Sequence, residues 1–229
     1  LEPLASAEAV VDQEELDQGA VICDIGGGTT DIAVVMQGAV VHTAVLPVGG
    51  AHMTRDLVVA LRVPQPAAEQ AKRRYGHAIP SLIDEDEEVD VDAFGSEGRK
   101  SVRRRLMAEV LQARTKELFE RVQAEIRRGV DQDVLSAGIV ITGGAASLPG
   151  IEMLAEDVLG LPARIGRPRH LAGMSDLLGD PAYATSVGLL RWSLKEREIM
   201  LRSSPSMPTA SFGGLLRKVA HLMRVVLPQ

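Results

Sequence analysis

The chain has 229 residues, 45% of them apolar, enough to build a real core in one large domain or two small ones. Its 31 acidic residues outnumber its 25 basic ones, for a net charge of −6, which argues against nucleic acid as a partner. No apolar run reaches the length of a membrane-crossing helix, no signal peptide is visible at the start, and the five histidines show no ligand spacing. Neither a spanning segment nor a structural zinc is therefore expected.

The first informative segment is residues 21–35, Val-Ile-Cys-Asp-Ile-Gly-Gly-Gly-Thr-Thr-Asp-Ile-Ala-Val-Val. An alternating apolar strand ends at Asp24, a glycine turn follows, and a second strand leaves from Asp31. Glycine makes such a turn without a Cβ penalty and lets backbone N–H groups converge. In that nest the amides of Gly26, Gly27 and Gly28 and the hydroxyls of Thr29 and Thr30 can surround phosphate oxygens, and Asp24 can hold a Mg²⁺ ion through water. The alternative is a glycine-rich hairpin without a ligand, although a plain hairpin has no use for flanking aspartates. Cys23, the single cysteine, lies in the strand before the turn and is expected to be a small buried hydrophobe.

Residues 65–76 read as a short helix, with Pro66 in its first turn and Gly76 as its stop. Glu69, Lys72 and Arg73 share one face of it, a spacing that by itself suits an ordinary surface ion-pair ladder. Further on, Asp84, Glu85, Asp86, Glu87 and Glu88, with Asp90 and Asp92, form an acidic run, and Arg99, Lys100, Arg103, Arg104 and Arg105 form a basic cluster. A long amphipathic helix is expected from about Met107 to Arg128, burying Val110, Leu111, Leu118, Phe119, Val122 and Ile126. The two charged runs can neutralise one another, or the basic one can face an acidic partner.

Residues 138–150 form a short apolar strand running into Gly143 and Gly144, with a helix beginning near Ile151. The small residues of 183–190, Tyr-Ala-Thr-Ser-Val-Gly-Leu-Leu, permit close helix packing, a structural role. From Ile199 to the last residue no acid occurs, against the sign of the whole chain. Residues 203–210, with two prolines and small polar side chains, give a flexible tether. A helix then places Phe212, Leu215, Leu216, Val219, Leu222, Met223, Val226 and Leu227 on one face at about 100° per residue. Arg217, Lys218, His221 and Arg224 lie opposite, and Val225 is the one misplacement. Such a helix is too short to span a bilayer, but its apolar side can sink into the headgroup boundary while its cations meet anionic lipid. A helix docked on its own domain and a calmodulin-like peptide target are the alternatives.

Residues 24–31 resemble the second phosphate loop of the actin, Hsp70 and hexokinase group of ATPases. Residues 65–76 are similar to the group's adenosine-contacting helix, 138–150 to its adenosine loop, and 183–190 to the helix closing the second half of the actin fold. Within that group the chain resembles the bacterial cell division family FtsA. The likeness is carried by residues 1–6 (Leu-Glu-Pro-Leu-Ala-Ser), 47–56 (Pro-Val-Gly-Gly-Ala-His-Met-Thr-Arg-Asp) and 137–145 (Ala-Gly-Ile-Val-Ile-Thr-Gly-Gly-Ala). It is carried also by the tail, which separates FtsA from chaperones and rod-shape actins.

The resemblance implies an α/β fold, the second half of an actin-like ATPase: a ribonuclease H-like mixed sheet with helices, an inserted α+β subdomain and a C-terminal amphipathic helix. The expected organisation is core at 1–76 with the phosphate loop, inserted subdomain at 77–133, core with the adenosine loop at 134–198, linker at 199–211 and membrane-targeting helix at 212–227. Implied cofactors are ATP and Mg²⁺. Glu69 would bond ribose, Arg73 would stack on adenine beside Lys72, and Gly143, Gly144 and Ala145 would lie against the nucleoside. The implied partner is the tubulin-like division protein FtsZ, whose acidic C-terminal peptide would meet Arg103, Arg104, Arg105 and Arg114.

Anionic membrane lipids, other division proteins and self-association in the full-length form complete the implied partners. The implied place is the cytoplasmic face of the bacterial inner membrane, peripheral, at the division site. No first half of the cleft precedes Leu1, so the expectation is a fragment, or a gene with a misplaced start, that binds ATP and is at most a weak ATPase. The rivals are an Hsp70-like chaperone ATPase, which predicts a β domain after the last core helix, and another actin-like protein of rod-shape or pilus assembly.

Overall fold

The computed structural model describes residues 2–95, 98–169 and 178–203. In chain order the elements are α1 (Glu2–Val10), α2 (Gln13–Gln18), β1 (Ala20–Ile25), β2 (Thr30–Met36), β3 (Ala39–Leu46), α3 (Gly50–Leu61), α4 (Gln65–Tyr75), β4 (Glu88–Asp92), β5 (Arg99–Arg103), α5 (Arg104–Gly129), β6 (Gly138–Thr142), α6 (Ile151–Leu159), β7 (Ala163–Ile165) and α7 (Ala184–Ser203). Residues 1–192 form one compact unit and 193–229 another. Of the second unit only the end of α7 is described, and the expected membrane helix at 212–227 lies outside the described residues.

A mixed five-stranded sheet runs in the order β3-β2-β1-β6-β7. β1 pairs antiparallel with β2 and parallel with β6, which makes it a central strand. Every one of its residues is buried, where alternation suggested a half-buried strand. Helices on both faces explain this. Val21, Cys23 and Ile25 belong to the large core with α3 and α5, while Ile22 packs with Ala7 of α1. Burial pushes the Cys23 thiol far up, with the Asp24 and Asp31 charges adding to it, so it is the inert hydrophobe the sequence suggested.

α5 begins three residues earlier than its apolar spacing predicts. It buries Met107, Leu111, Leu118, Phe119, Val122 and Ile126 completely, with Val110 only partly buried. Its first turn is basic, the unfavourable end of a helix dipole for cations, and Glu87 pairs with Arg104 there, as Glu85 does with Arg105. Val89, Val91 and Val102 of the β4–β5 hairpin join the same apolar core as the sheet. The expected boundary at residue 77 therefore falls between α4 and a hairpin it packs against.

α1 and α7 cross in direct contact. A Cβ on Gly188 would overlap the carbonyl oxygen of Ala5, and Ala184 and Val187 share a small core with Ala9, Val10 and Val140. The small residues of 183–190 thus do the packing expected of them. α7 continues to Ser203, past Ile199 where the tether was expected to begin, because no helix breaker stands before Pro205.

Gly188→Ala should lower folding stability by about 1–3 kcal/mol through overpacking. The check is a urea midpoint at unchanged slope. Helix propensity alone predicts the opposite sign, so a midpoint that rises would overturn the close crossing.

Candidate functional site

The glycine turn is set by strand register, with Asp24 opposite Asp31 and Ile25 opposite Thr30. Gly26 N–H closes it on the Thr29 carbonyl at 2.9 Å, so this amide is engaged within the turn and does not face a ligand as expected. None of Gly26, Gly27 and Gly28 has a left-handed φ. A Cβ on Gly27 or Gly28 would meet nothing within 4 Å, and neither amide donates a hydrogen bond among the described residues. Conformation therefore does not demand glycine at 27 and 28, contrary to the sequence argument; what glycine preserves there is open space beside two free N–H groups.

The two threonines part company. Thr29 is exposed and its hydroxyl donates to Asp31 at 3.2 Å. Thr30 is fully buried, and its hydroxyl donates to the Val48 carbonyl at 2.7 Å. Side chains alternate along a strand, so once Thr29 faces out Thr30 faces in, and the hydroxyl expected to meet phosphate is engaged with Val48 inside the chain.

The first turn of α3 is docked on this loop. Gly50 N–H donates to the Gly26 carbonyl at 2.9 Å and Ala51 N–H to the Gly27 carbonyl at 2.8 Å. A Cβ on Gly49 would lie 2.6 Å from one of these oxygens and 2.8 Å from the other, which makes glycine obligatory at that position. His52 closes the helix end by accepting from Gly49 N–H through Nδ1 at 3.1 Å. Gly49 and Gly50 escaped the sequence reading as site residues; their signal was the diglycine at the start of an apolar-periodic helix.

From α4, Lys72 reaches across to the same turn. Its Nζ donates to the Gly50 carbonyl at 2.9 Å, to Thr54 Oγ1 at 2.8 Å and to Glu69 Oε2 at 2.8 Å. An ammonium has three donors, so none remains for the ligand contact expected of Lys72. Thr54, which the sequence did not single out, also hydrogen-bonds Glu69. Arg73 stays at the surface, its Nε 2.7 Å from Glu69 Oε1. Partial burial pushes the Glu69 carboxyl up, but hydrogen bonds from Lys72, Thr54 and Arg73 outweigh it and bring it down to about 2. The ion-pair ladder is therefore real.

β6 delivers the other glycine pair, with Thr142 beside Asp24 in parallel register. Gly143 has φ 85°, and a Cβ there would overlap Asp24 Oδ1. Asp24 Oδ2 accepts from Ser6 of α1 at 2.5 Å and from Thr185 of α7 at 2.8 Å, while Oδ1 accepts no hydrogen bond among the described residues. A Cβ on Gly144 would come within 4 Å of Ala182 alone among the described residues, at 3.8 Å, and Ala145 sits 3.4 Å from a Cβ position on Gly50. Asp24, the glycine turn, residues 143–145 and the first turn of α3 thus converge, with Lys72 behind them. No group of three His, Cys, Asp or Glu among the described residues could hold a metal directly.

The basic cluster is mostly neutralised from within. Arg104 donates to the Tyr75 carbonyl at 2.8 Å and to Glu87 at 2.9 Å, and Arg105 pairs with Glu85. Arg114 forks onto Asp56 at 2.6 and 3.0 Å and also pairs with Glu117; the Asp56 hydrogen bond chiefly raises its already high pKa. Arg103 is exposed and makes no ion pair among the described residues. The expected basic face thus contracts to Arg103, because the acidic run folds back onto its neighbours. The expected membrane residues, Phe212 through Leu227, lie outside the described residues.

A family model described as cell division protein FtsA matches residues 21–188. The chain is similar to the cell division protein FtsA of Pseudomonas aeruginosa, 42% identical over 197 residues, covering 86% of this chain and 47% of that one. It is similar also to that of Escherichia coli K12, 36% identical over 229 residues, covering 96% of this chain and 54% of that one. It thus spans about half the length of these relatives. Among solved structures it shares the fold of MreB5 of Spiroplasma citri bound to ADP, with a TM-score of 0.68 at 21% identity, covering 87% of this chain and 60% of that one.

Glu69 supplies a pH test. Its folded carboxyl is depressed from 4.5 to about 2, so its contribution to stability is complete above 4.5 and is lost as pH falls toward about 2. Glu69→Gln should be less stable than wild type near neutral pH, and the gap should close across that window. Urea midpoints measured through it decide, and parallel curves would remove the ladder from the stability of the α3–α4 corner.

Proposed function

The chain belongs to the FtsA family of cell division proteins, and from that membership we propose that it is the half of a division protein that grips the phosphates of ATP and links the division filament to the membrane. One observation carries the nucleotide reading: Gly27 and Gly28 are glycines that neither backbone conformation nor packing among the described residues requires, and their amides are unpaired among those residues. Amides aimed into open space at a glycine turn suit phosphate oxygens. Residues 143–145 border the same space, so Gly143, Gly144 and Ala145 would meet the nucleoside. The fold relative MreB5 was solved with ADP, and nucleotide comes to this chain as part of the proposal.

Magnesium fits in one way. With no cluster of ligands, an ion would be held by waters and phosphate oxygens, with Asp24 Oδ1, free of the two hydroxyls on Oδ2, as the protein's contact. The ion would neutralise charge on the phosphates. Ser6 and Thr185 orient the Asp24 carboxyl, and Gly143 leaves room for it. The proposal is for binding. Hydrolysis would require positioning and charge stabilisation from every side of the triphosphate.

For the filament, the reading is that the acidic C-terminal peptide of FtsZ docks near Arg103, which like Lys100 is exposed and makes no ion pair among the described residues of the cluster, since charge complementarity orients and speeds docking. Residues 212–227 would lie in the interface of the inner membrane's cytoplasmic face, at the division site, with self-association and other division proteins as further partners of the full-length form. What supports the membrane reading is the sequence alone, with eight apolar residues on one helical face and Arg217, Lys218 and Arg224 opposite.

Gly27→Val should fold as wild type does, since its Cβ meets no neighbour, yet weaken ATP by about tenfold or more, ~1.4 kcal/mol. Amide NMR of the chain titrated with ATP reads both, and an unchanged affinity would take the loop out of the site. Replacing Leu216 and Leu222 by Glu should abolish co-sedimentation with anionic liposomes. Added salt should only weaken wild-type binding, because each cation supplies on the order of 1 kcal/mol and apolar burial is unscreened. A double mutant that still pellets with the vesicles would exclude the tail as the anchor.

A further inference from the structure

The two outer strands of the main sheet are guarded differently. β7 is three residues long, carries Arg164 at its centre and is flanked by Pro162 and Pro168, devices by which proteins keep an open sheet edge from pairing. β3 runs for eight residues and pairs with β2 alone, and its outward N–H and C=O groups have no backbone partner among the described residues. Val45 is 62% exposed, Val41 47% and Val40 43%. From Ile32 to Thr54 there is no Asp, Glu, Lys or Arg, in a chain where such residues are 24% of the total.

The unpaired groups define the kind of partner. A row of backbone donors and acceptors is satisfied by another extended segment, and an uncharged strand with exposed valines fits one that is itself uncharged and β-branched. The same strand in a second copy meets both conditions. Charge points the same way, since two copies with a net charge of −6 each repel over most approaches, whereas this run brings no carboxylates face to face. The regular part of the edge is short. Val34 pairs with His42 and Val35 with Val40, so Val41 is bulged out of the ladder, and Pro47, after Leu46, has no N–H to give. Residues 42–46 remain between them, centred on Ala44.

We propose that β3 docks a second copy of this chain, the two strands pairing antiparallel about a two-fold axis at Ala44 so that the two sheets become continuous. That register sets Thr43 of each copy, which is exposed, opposite Val45 of the other, a β-branched pair made twice. The small Ala44 faces itself, and His42 falls opposite Leu46 and meets no second cation. Five residues a side are well below the roughly 20–30 of a standard interface, so the contact is weak in dilute solution and acts where copies are already held close together. It rests on neither the nucleotide nor the membrane reading.

The test uses the whole chain as wild type, Val45→Lys, Val45→Thr, and a tail variant with Leu216→Glu and Leu222→Glu, each followed by sedimentation velocity from micromolar to near-millimolar concentration. Wild type, Val45→Thr and the tail variant should show the same concentration-dependent dimer. Val45→Lys, a change at an exposed position that places a cation on each side of the axis, should weaken it by about tenfold or more while the chain still folds. For the register, Thr43→Cys and Val45→Cys proteins are mixed and oxidised, the buried Cys23 being inert. Disulfide between the unlike variants should exceed that within either, because only opposed positions come close enough to bridge.

No dimer in wild type at the highest concentration, or one that Val45→Lys leaves at wild-type strength, would overturn the pairing. A dimer lost in the tail variant would assign the association to the tail and overturn it equally. Cross-linking no stronger between the unlike variants than within each would overturn the register.

Discussion

Two backbone hydrogen bonds, from Gly50 and Ala51 to the carbonyls of Gly26 and Gly27, set the arrangement of the candidate site. They join the end of the central strand to the start of α3, and they form only because Gly49 has no Cβ to collide with the same two oxygens. With those carbonyls turned toward α3, the amides of Gly27 and Gly28 are left unpaired among the described residues. The first orphan N–H groups of a helix need partners, and here the loop supplies them. One contact thereby satisfies a helix end and shapes the turn.

A second constraint acts from the other face of the sheet. Asp24 is nearly buried, and the hydroxyls of Ser6 and Thr185 both donate to one of its oxygens. This ties α1 and α7 to the strand that carries the glycine turn, at the place where Gly188 lets the two helices touch. The second oxygen faces Gly143. A carboxylate is stable in such a place only with hydrogen-bond donors around it, so the same hydroxyls that make burial tolerable also choose which oxygen remains open.

Charge is disposed by the same economy of partners. The acidic run and the basic cluster stand far apart in composition but meet across the β4–β5 hairpin and the start of α5, where Glu85 and Glu87 offset cations placed at the wrong end of a helix dipole. A partially exposed pair of this kind adds little stability. Its effect is on recognition, since it leaves Lys100 and Arg103 as the exposed cations of that segment without an ion pair among the described residues.

Local sequence determined a good deal of this protein. The run of β-branched residues on each side of the glycines determined β1 and β2, Pro66 and Gly76 bounded α4, and the apolar spacing from Met107 to Ile126 set the buried face of α5, because each depends on neighbours close in the chain. The glycine turn and the diglycine at 143–144 were legible as a site for the same reason. Tertiary structure decided the rest. It turned Thr30 inward to Val48, set Lys72 on the far side of α3, paired Arg104, Arg105 and Arg114, and made Gly49 rather than Gly27 the position where a side chain cannot fit. Each of these rests on what a distant segment places opposite, and helical or strand periodicity reports only which way a side chain points, not what it will meet.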